Sequence, residues 1–87
     1  MIYQVRFRER VLKELKSIPK RDLQKILMAV DLLAENPIPP NSKKLAGYDN
    51  LYRVRVGDWR VAYEIQNEQL IVFVIRIGHR KDVYRNL

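Results

Sequence analysis

Three arginines fall within eight residues of an alternating stretch, Leu51-Tyr52-Arg53-Val54-Arg55-Val56-Gly57-Asp58-Trp59-Arg60-Val61-Ala62-Tyr63. Gly57-Asp58 suits a two-residue hairpin turn. That turn pairs Val56 with Trp59, Arg55 with Arg60, Val54 with Val61 and Arg53 with Ala62. Paired residues share a face, so Arg53, Arg55 and Arg60 gather on one side, opposite Tyr52, Val54, Val56, Trp59, Val61 and Tyr63. Like charges opposed across strands cost roughly 0.2–1 kcal/mol, and Glu64 is the only acid on that face of the hairpin. The planar guanidinium fork matches the oxygens of a phosphate. A single arginine here would be read as part of a solvated sheet face; three on one face point to phosphate binding.

His79, Arg80 and Tyr84 follow the last apolar segment and should emerge near one end of the sheet. One helical turn would bring Arg80 and Tyr84 together. Taken alone, a single histidine reads as a surface or structural residue, and a C-terminal tyrosine as an anchor for the tail. Other chemistries lack their residues. With one histidine and no cysteine the chain offers no thiolate and no metal-ligand pattern. Its three glycines form no phosphate loop, and neither serine sits in the setting of an activated nucleophile.

The elements that must position these residues are legible from periodicity. Ile2 to Phe7 alternates as a strand buried on one side. Val11, Leu12, Leu15 and Ile18 form a helical stripe stopped by Pro19; Leu23, Ile26, Leu27, Val30, Leu33 and Ala34 form a longer one ending near Asn36-Pro37. Both stripes are expected to be core, on two helices joined as a hairpin. Asn36 to Ser42, with three prolines, reads as a connecting loop. After the arginine hairpin and a reversal at Asn67-Glu68, Leu70 to Ile77 is apolar on both faces, as in a central covered strand. The tail is short and polar.

Strand, helical hairpin and three-stranded meander give an α+β domain over residues 1–87, with a mainly antiparallel sheet carrying its helices on one face. Seventeen Lys and Arg against ten Asp and Glu give a formal charge of +7, which favours a polyanionic partner. The N-terminus lacks the apolar core of a signal peptide, and Leu70 to Ile75 is too short to cross a bilayer. A cytoplasmic protein with no membrane partner and no cofactor is expected.

The stretch Lys43-Lys44-Leu45-Ala46-Gly47, the arginine hairpin, and Val72-Phe73-Val74-Ile75-Arg76-Ile77-Gly78-His79-Arg80 with Val83-Tyr84 resemble the signature of RelE/ParE-superfamily toxins. The resemblance covers essentially the whole chain. It implies a toxin held by a cognate antitoxin. RelE-like members cleave mRNA in the ribosomal A site without a metal, by attack of the 2′-hydroxyl on the adjacent phosphate; ParE-like members inhibit DNA gyrase instead. By position, Arg60 resembles the phosphate-binding arginine, Arg80 the leaving-group arginine, and Tyr84 the tyrosine that stacks on or orients the base. His79 stands where some members have a catalytic histidine. Arg53 and Arg55 occupy positions often held by lysine, and with Lys43 and Lys44 they are the expected RNA-phosphate contacts. Arginine holds its proton far above neutral pH and is a poor proton acceptor. Either His79 takes the role of base, or the arginines act mainly by electrostatics, or cleavage is slow. Joint presence of Arg60, Arg80 and Tyr84 ranks the nuclease above the gyrase inhibitor.

Overall fold

The structure is a computed structural model that describes residues 2–79, 81–84 and 87. Strand β1 (Gln4–Phe7) leads into helix α1 (Glu9–Lys16) and helix α2 (Lys20–Glu35), followed by β2 (Ser42–Lys44), β3 (Leu51–Val56), β4 (Trp59–Gln66), β5 (Ile71–Gly78) and a 3₁₀ turn at Lys81–Tyr84. The sheet runs β1-β5-β4-β3-β2. Only β1 and β5 pair in parallel; the other pairs are antiparallel. The α+β expectation holds, with one strand more than the periodicity revealed. Three-residue β2 directly follows the proline loop and is too short to show an alternation.

The arginine hairpin has the register expected of it, Val56 opposite Trp59 and Arg55 opposite Arg60. Gly57 takes a φ of +62°, which glycine alone adopts without strain at the first position of such a turn.

The main core lies between the helices and one sheet face: Val11, Ile18, Ile26, Val30 and Leu33 pack on Val54, Val61, Tyr63, Val72, Val74 and Ile77. Two residues of the expected stripes are exposed. Leu12 is 50% exposed and Leu27 36%, because each is the neighbour of a fully buried residue, Val11 or Ile26, and a short helix on a twisted sheet buries a narrower stripe than the sequence pattern offers.

The other sheet face carries a smaller cluster, Leu51, Ala62, Ile75 and Val83 with Phe73 and Tyr84 against it. The tail is therefore packed, not simply polar. Gly78 makes this possible, since a methyl group there would overlap the Val83 side chain.

Past Val74, β5 outruns β1 and would expose unpaired backbone. Helix α1 covers that edge: the Glu14 carboxylate accepts the Ile77 N–H through Oε1 at 3.1 Å and pairs with Arg76 Nε through Oε2, also at 3.1 Å. Both side chains are about four-fifths buried. Glu14→Ala removes both bonds and leaves the Ile77 N–H without a partner, so urea unfolding should show a loss of about 2–3 kcal/mol. Glu14→Gln, which can still accept the N–H, should lose about half as much.

Tyr63 is fully buried in β4. Its hydroxyl donates to the Pro37 carbonyl at 2.7 Å, tying the proline loop to the sheet. Burial pushes its pKa up to about 12, partly offset by hydrogen bonding to Ser42. The folded state thus keeps a proton that the unfolded chain releases near pH 10, and this group's contribution, complete below pH 10, is lost as pH rises toward 12. Two units correspond to about 2–3 kcal/mol. The stability difference between wild type and Tyr63→Phe should shrink by that order between pH 9 and 12 in denaturant titrations; a constant difference would contradict it.

Candidate nucleic-acid interface and active site

Arg53 and Arg55 project from β3 and Arg60 from β4, on the face opposite the helices. The cross-strand partners settle this, since Arg53 lies opposite Ala62, a member of the smaller cluster, and Arg55 lies opposite Arg60. Lys43 is the partner of Arg53 on β2 and extends the basic face; Lys44 is the partner of Tyr52 and lies on the helix side. The two lysines expected to act together are therefore separated by the pleat.

Among the described residues the one ion pair is Arg76–Glu14, so no described carboxylate pairs with any of the three arginines. Arg60 is nevertheless held in place: its Nη1 donates to the His79 carbonyl at 2.8 Å. This bond links the middle of the arginine face to the end of β5.

Tyr84 closes the face from the 3₁₀ turn. Its ring packs on the Leu51, Ala62, Ile75 and Val83 cluster, and its hydroxyl oxygen is buried without a hydrogen-bond partner among the described residues. Burial raises its pKa, while the positive charges of Arg53, Arg60 and Arg55, in that order, pull it down. The hydroxyl thus lies within electrostatic reach of the three guanidinium groups. A buried donor without a partner is uncommon and costly.

His79 is exposed, with its ring stacked on Trp59 at a centroid separation of 4.2 Å and an interplanar angle of 26°. It borders a hollow of about 330 Å³ whose other walls are Arg55, Asp58 and Arg60. Trp59 and its partner Asp22 were not singled out by the sequence. A lone tryptophan opening a strand reads as core, and nothing in the spacing of residues 22 and 59 foretells their hydrogen bond. Arg80 lies outside the described residues. Among the described residues no three His, Cys, Asp or Glu side chains converge in a way that could hold a metal ion.

Comparison with known proteins gives this surface a context. Residues 5–84 match the family described as ParE toxin of type II toxin-antitoxin system, parDE. The chain is 33% identical to toxin RelG of Mycobacterium tuberculosis over 98% of this chain and 99% of the relative. It is 35% identical to mRNA interferase toxin RelE of Escherichia coli over 93% and 86%. Among solved structures, the RelE-RelB complex of Pyrococcus horikoshii contains a chain that superposes with a TM-score of 0.82 at 31% identity, covering 93% of this chain and 98% of that one. The isolated E. coli RelE toxin superposes with a TM-score of 0.80 at 28% identity, covering 94% and 90%. The helical pair, the antiparallel arginine hairpin and the nearly full-length matches agree: the chain belongs to the RelE/ParE superfamily, as a member of the ParE toxin family of type II toxin-antitoxin systems.

Proposed function

We propose that this toxin is a metal-independent endoribonuclease that cleaves mRNA in the ribosomal A site. The observation that carries the reading is the set of three guanidinium groups on one sheet face, unpaired with any described carboxylate, whose positive charge reaches the Tyr84 hydroxyl. In the proposed reaction the 2′-oxygen attacks the adjacent phosphorus and its proton passes to a base. The bond from phosphorus to the 5′-oxygen then breaks, leaving a 2′,3′-cyclic phosphate, and the 5′-oxygen takes up a proton. Arg60, anchored on the His79 carbonyl, meets the charge that builds on the phosphorane oxygens. His79 is the base, histidine being the side chain suited to accept a proton near neutral pH. Arg80 stabilises the departing 5′-oxygen, and Tyr84 orients the substrate base. Arg53, Arg55 and Lys43 hold flanking phosphates.

The relatives named mRNA interferase support this reading. The resemblance to ParE-like toxins implies one other reading, gyrase inhibition without nuclease chemistry. Translation in vitro with primer extension on the message separates them. New 5′ ends within A-site codons are the expected result, whereas intact message together with blocked DNA supercoiling would replace the nuclease with the inhibitor.

The phosphate contacts have their own signature. Arg53→Ala, Arg55→Ala and Lys43→Ala should each reduce the slope of log affinity for ribosomes against log salt by about one unit. Lys44→Ala, on the opposite face, should leave the slope unchanged. Equal slopes in all four would return the face to the role of a solvated surface.

We infer further that a cognate antitoxin covers the basic face with an acidic or amphipathic segment. The solved RelE-RelB complexes support such a partner, and carboxylates there would relieve the repulsion between Arg55 and Arg60. Such a substrate and partner support a cytoplasmic location.

A further inference from the structure

Consecutive residues of β4 grip His79 from the two sides of the sheet. Arg60, on the open face, holds its main-chain carbonyl at 2.8 Å. Trp59, on the helix side, holds its ring in a stack of 4.2 Å. The indole is itself restrained, because its Nε1–H donates to Asp22 Oδ2 at 3.1 Å, in the first turn of α2. A chain of direct contacts thus runs from the helical layer through Asp22 and Trp59 to the imidazole of His79, a residue that borders both the hollow with Arg55 and Arg60 and a second one lined by Asp22, Lys25 and Trp59.

We propose that Asp22 and Trp59 are positioning residues for His79: the carboxylate fixes the plane of the indole, and the indole fixes the plane and location of the imidazole at the rim of the arginine face. The proposal rests on the assignment of His79 as the base. An exposed histidine has free rotation about two side-chain bonds, and a proton acceptor must lie within hydrogen-bond reach of the 2′-hydroxyl to act. Displacement of a reacting group by about 1 Å can cost on the order of 100-fold in rate. Stacking on a tethered indole removes most of that freedom while the residue as a whole stays exposed. An indole needed only to fill the end of the core would have no use for an exposed ring lying on it.

The chain has one histidine and one tryptophan, so the pair can be observed directly. In the folded protein the His79 ring-proton resonances should be displaced upfield by the indole. Trp59→Leu should abolish that displacement and lower single-turnover cleavage on programmed ribosomes by about 10- to 100-fold, with ribosome affinity within about twofold of wild type. Trp59→Phe, which keeps an aromatic face, should recover most of the cleavage. Asp22→Ala, which removes only the indole's anchor, should reduce the displacement and lower cleavage by several-fold, and it carries the test should Trp59→Leu fail to fold.

His79→Ala separates the proposal from the reading beneath it. If that variant is inactive while Trp59→Leu, or Asp22→Ala in its place, cleaves at the wild-type rate with its ring-proton displacement lost, the positioning role is overturned and the base assignment stands. If His79→Ala cleaves normally, the base assignment falls and the positioning role falls with it.

Discussion

Replacing Arg60 with alanine is expected to lower single-turnover cleavage by two to three orders of magnitude, more than either Arg53→Ala or Arg55→Ala. The difference comes from preorganisation. Of the three arginines on the open face, Arg60 is the one with a side-chain hydrogen bond among the described residues, to the His79 carbonyl, so one arm of the fork is fixed and the orientations open to the remaining donors are restricted. Loss of one such donor typically costs about 10²–10³ in rate, because the charge it meets develops in the transition state. Ground-state affinity should change less, by about tenfold or under, since in the proposed reading Arg53, Arg55 and Lys43 still hold the RNA backbone. Arg60→Lys should not restore the rate: an ammonium that keeps the His79 carbonyl cannot also offer the planar pair of donors that a phosphate accepts. Rapid-quench cleavage on programmed ribosomes, alongside equilibrium binding, reads both quantities. A folded Arg60→Ala variant that cleaves at the wild-type rate would remove Arg60 from the reaction.

The hairpin that carries this arginine was legible in advance because three independent signals coincided there: Gly57 at a position requiring positive φ, strict alternation on either side of the turn, and a length that admits one register. The separation of Lys43 from Lys44 was not legible. It follows from the pairing of β2 with β3, and three residues after a proline loop give no period from which to infer a strand. Leu12 and Leu27 expose the converse limit. Helical spacing identifies a broad apolar arc, and only the docking of α1 on β5 and of α2 on the sheet decides which residues within the arc are covered. The site divides in the same way. Arg53, Arg55 and Arg60 were brought together by local register, which sequence encodes. The contacts of Trp59 with Asp22 and His79 join residues 37 and 20 positions apart and depend on how α2 and the end of β5 meet over the turn.

Tyr84 should show opposite effects on stability and on activity when its hydroxyl alone is removed. In the folded toxin that hydroxyl is buried without a partner among the described residues and lies in the field of Arg53, Arg60 and Arg55, while the ring contributes apolar surface to the cluster over Ala62 and Ile75. Tyr84→Phe keeps the ring and deletes a group whose desolvation is uncompensated, so the variant should be as stable as wild type or more stable by about 1 kcal/mol. If the hydroxyl finds its partner on bound RNA, the same change should lower cleavage by about tenfold, the worth of one hydrogen bond made only in the complex. Tyr84→Ala removes the ring as well. It should cost about 2–4 kcal/mol of stability through the lost packing and reduce cleavage by 100-fold or more, since the base then has no surface to orient it. Thermal or urea unfolding and single-turnover cleavage of the two variants separate the roles. Wild-type cleavage by Tyr84→Phe would confine the residue's function to its ring, and wild-type cleavage by a folded Tyr84→Ala would make Tyr84 an anchor of the 3₁₀ turn with no part in recognising RNA.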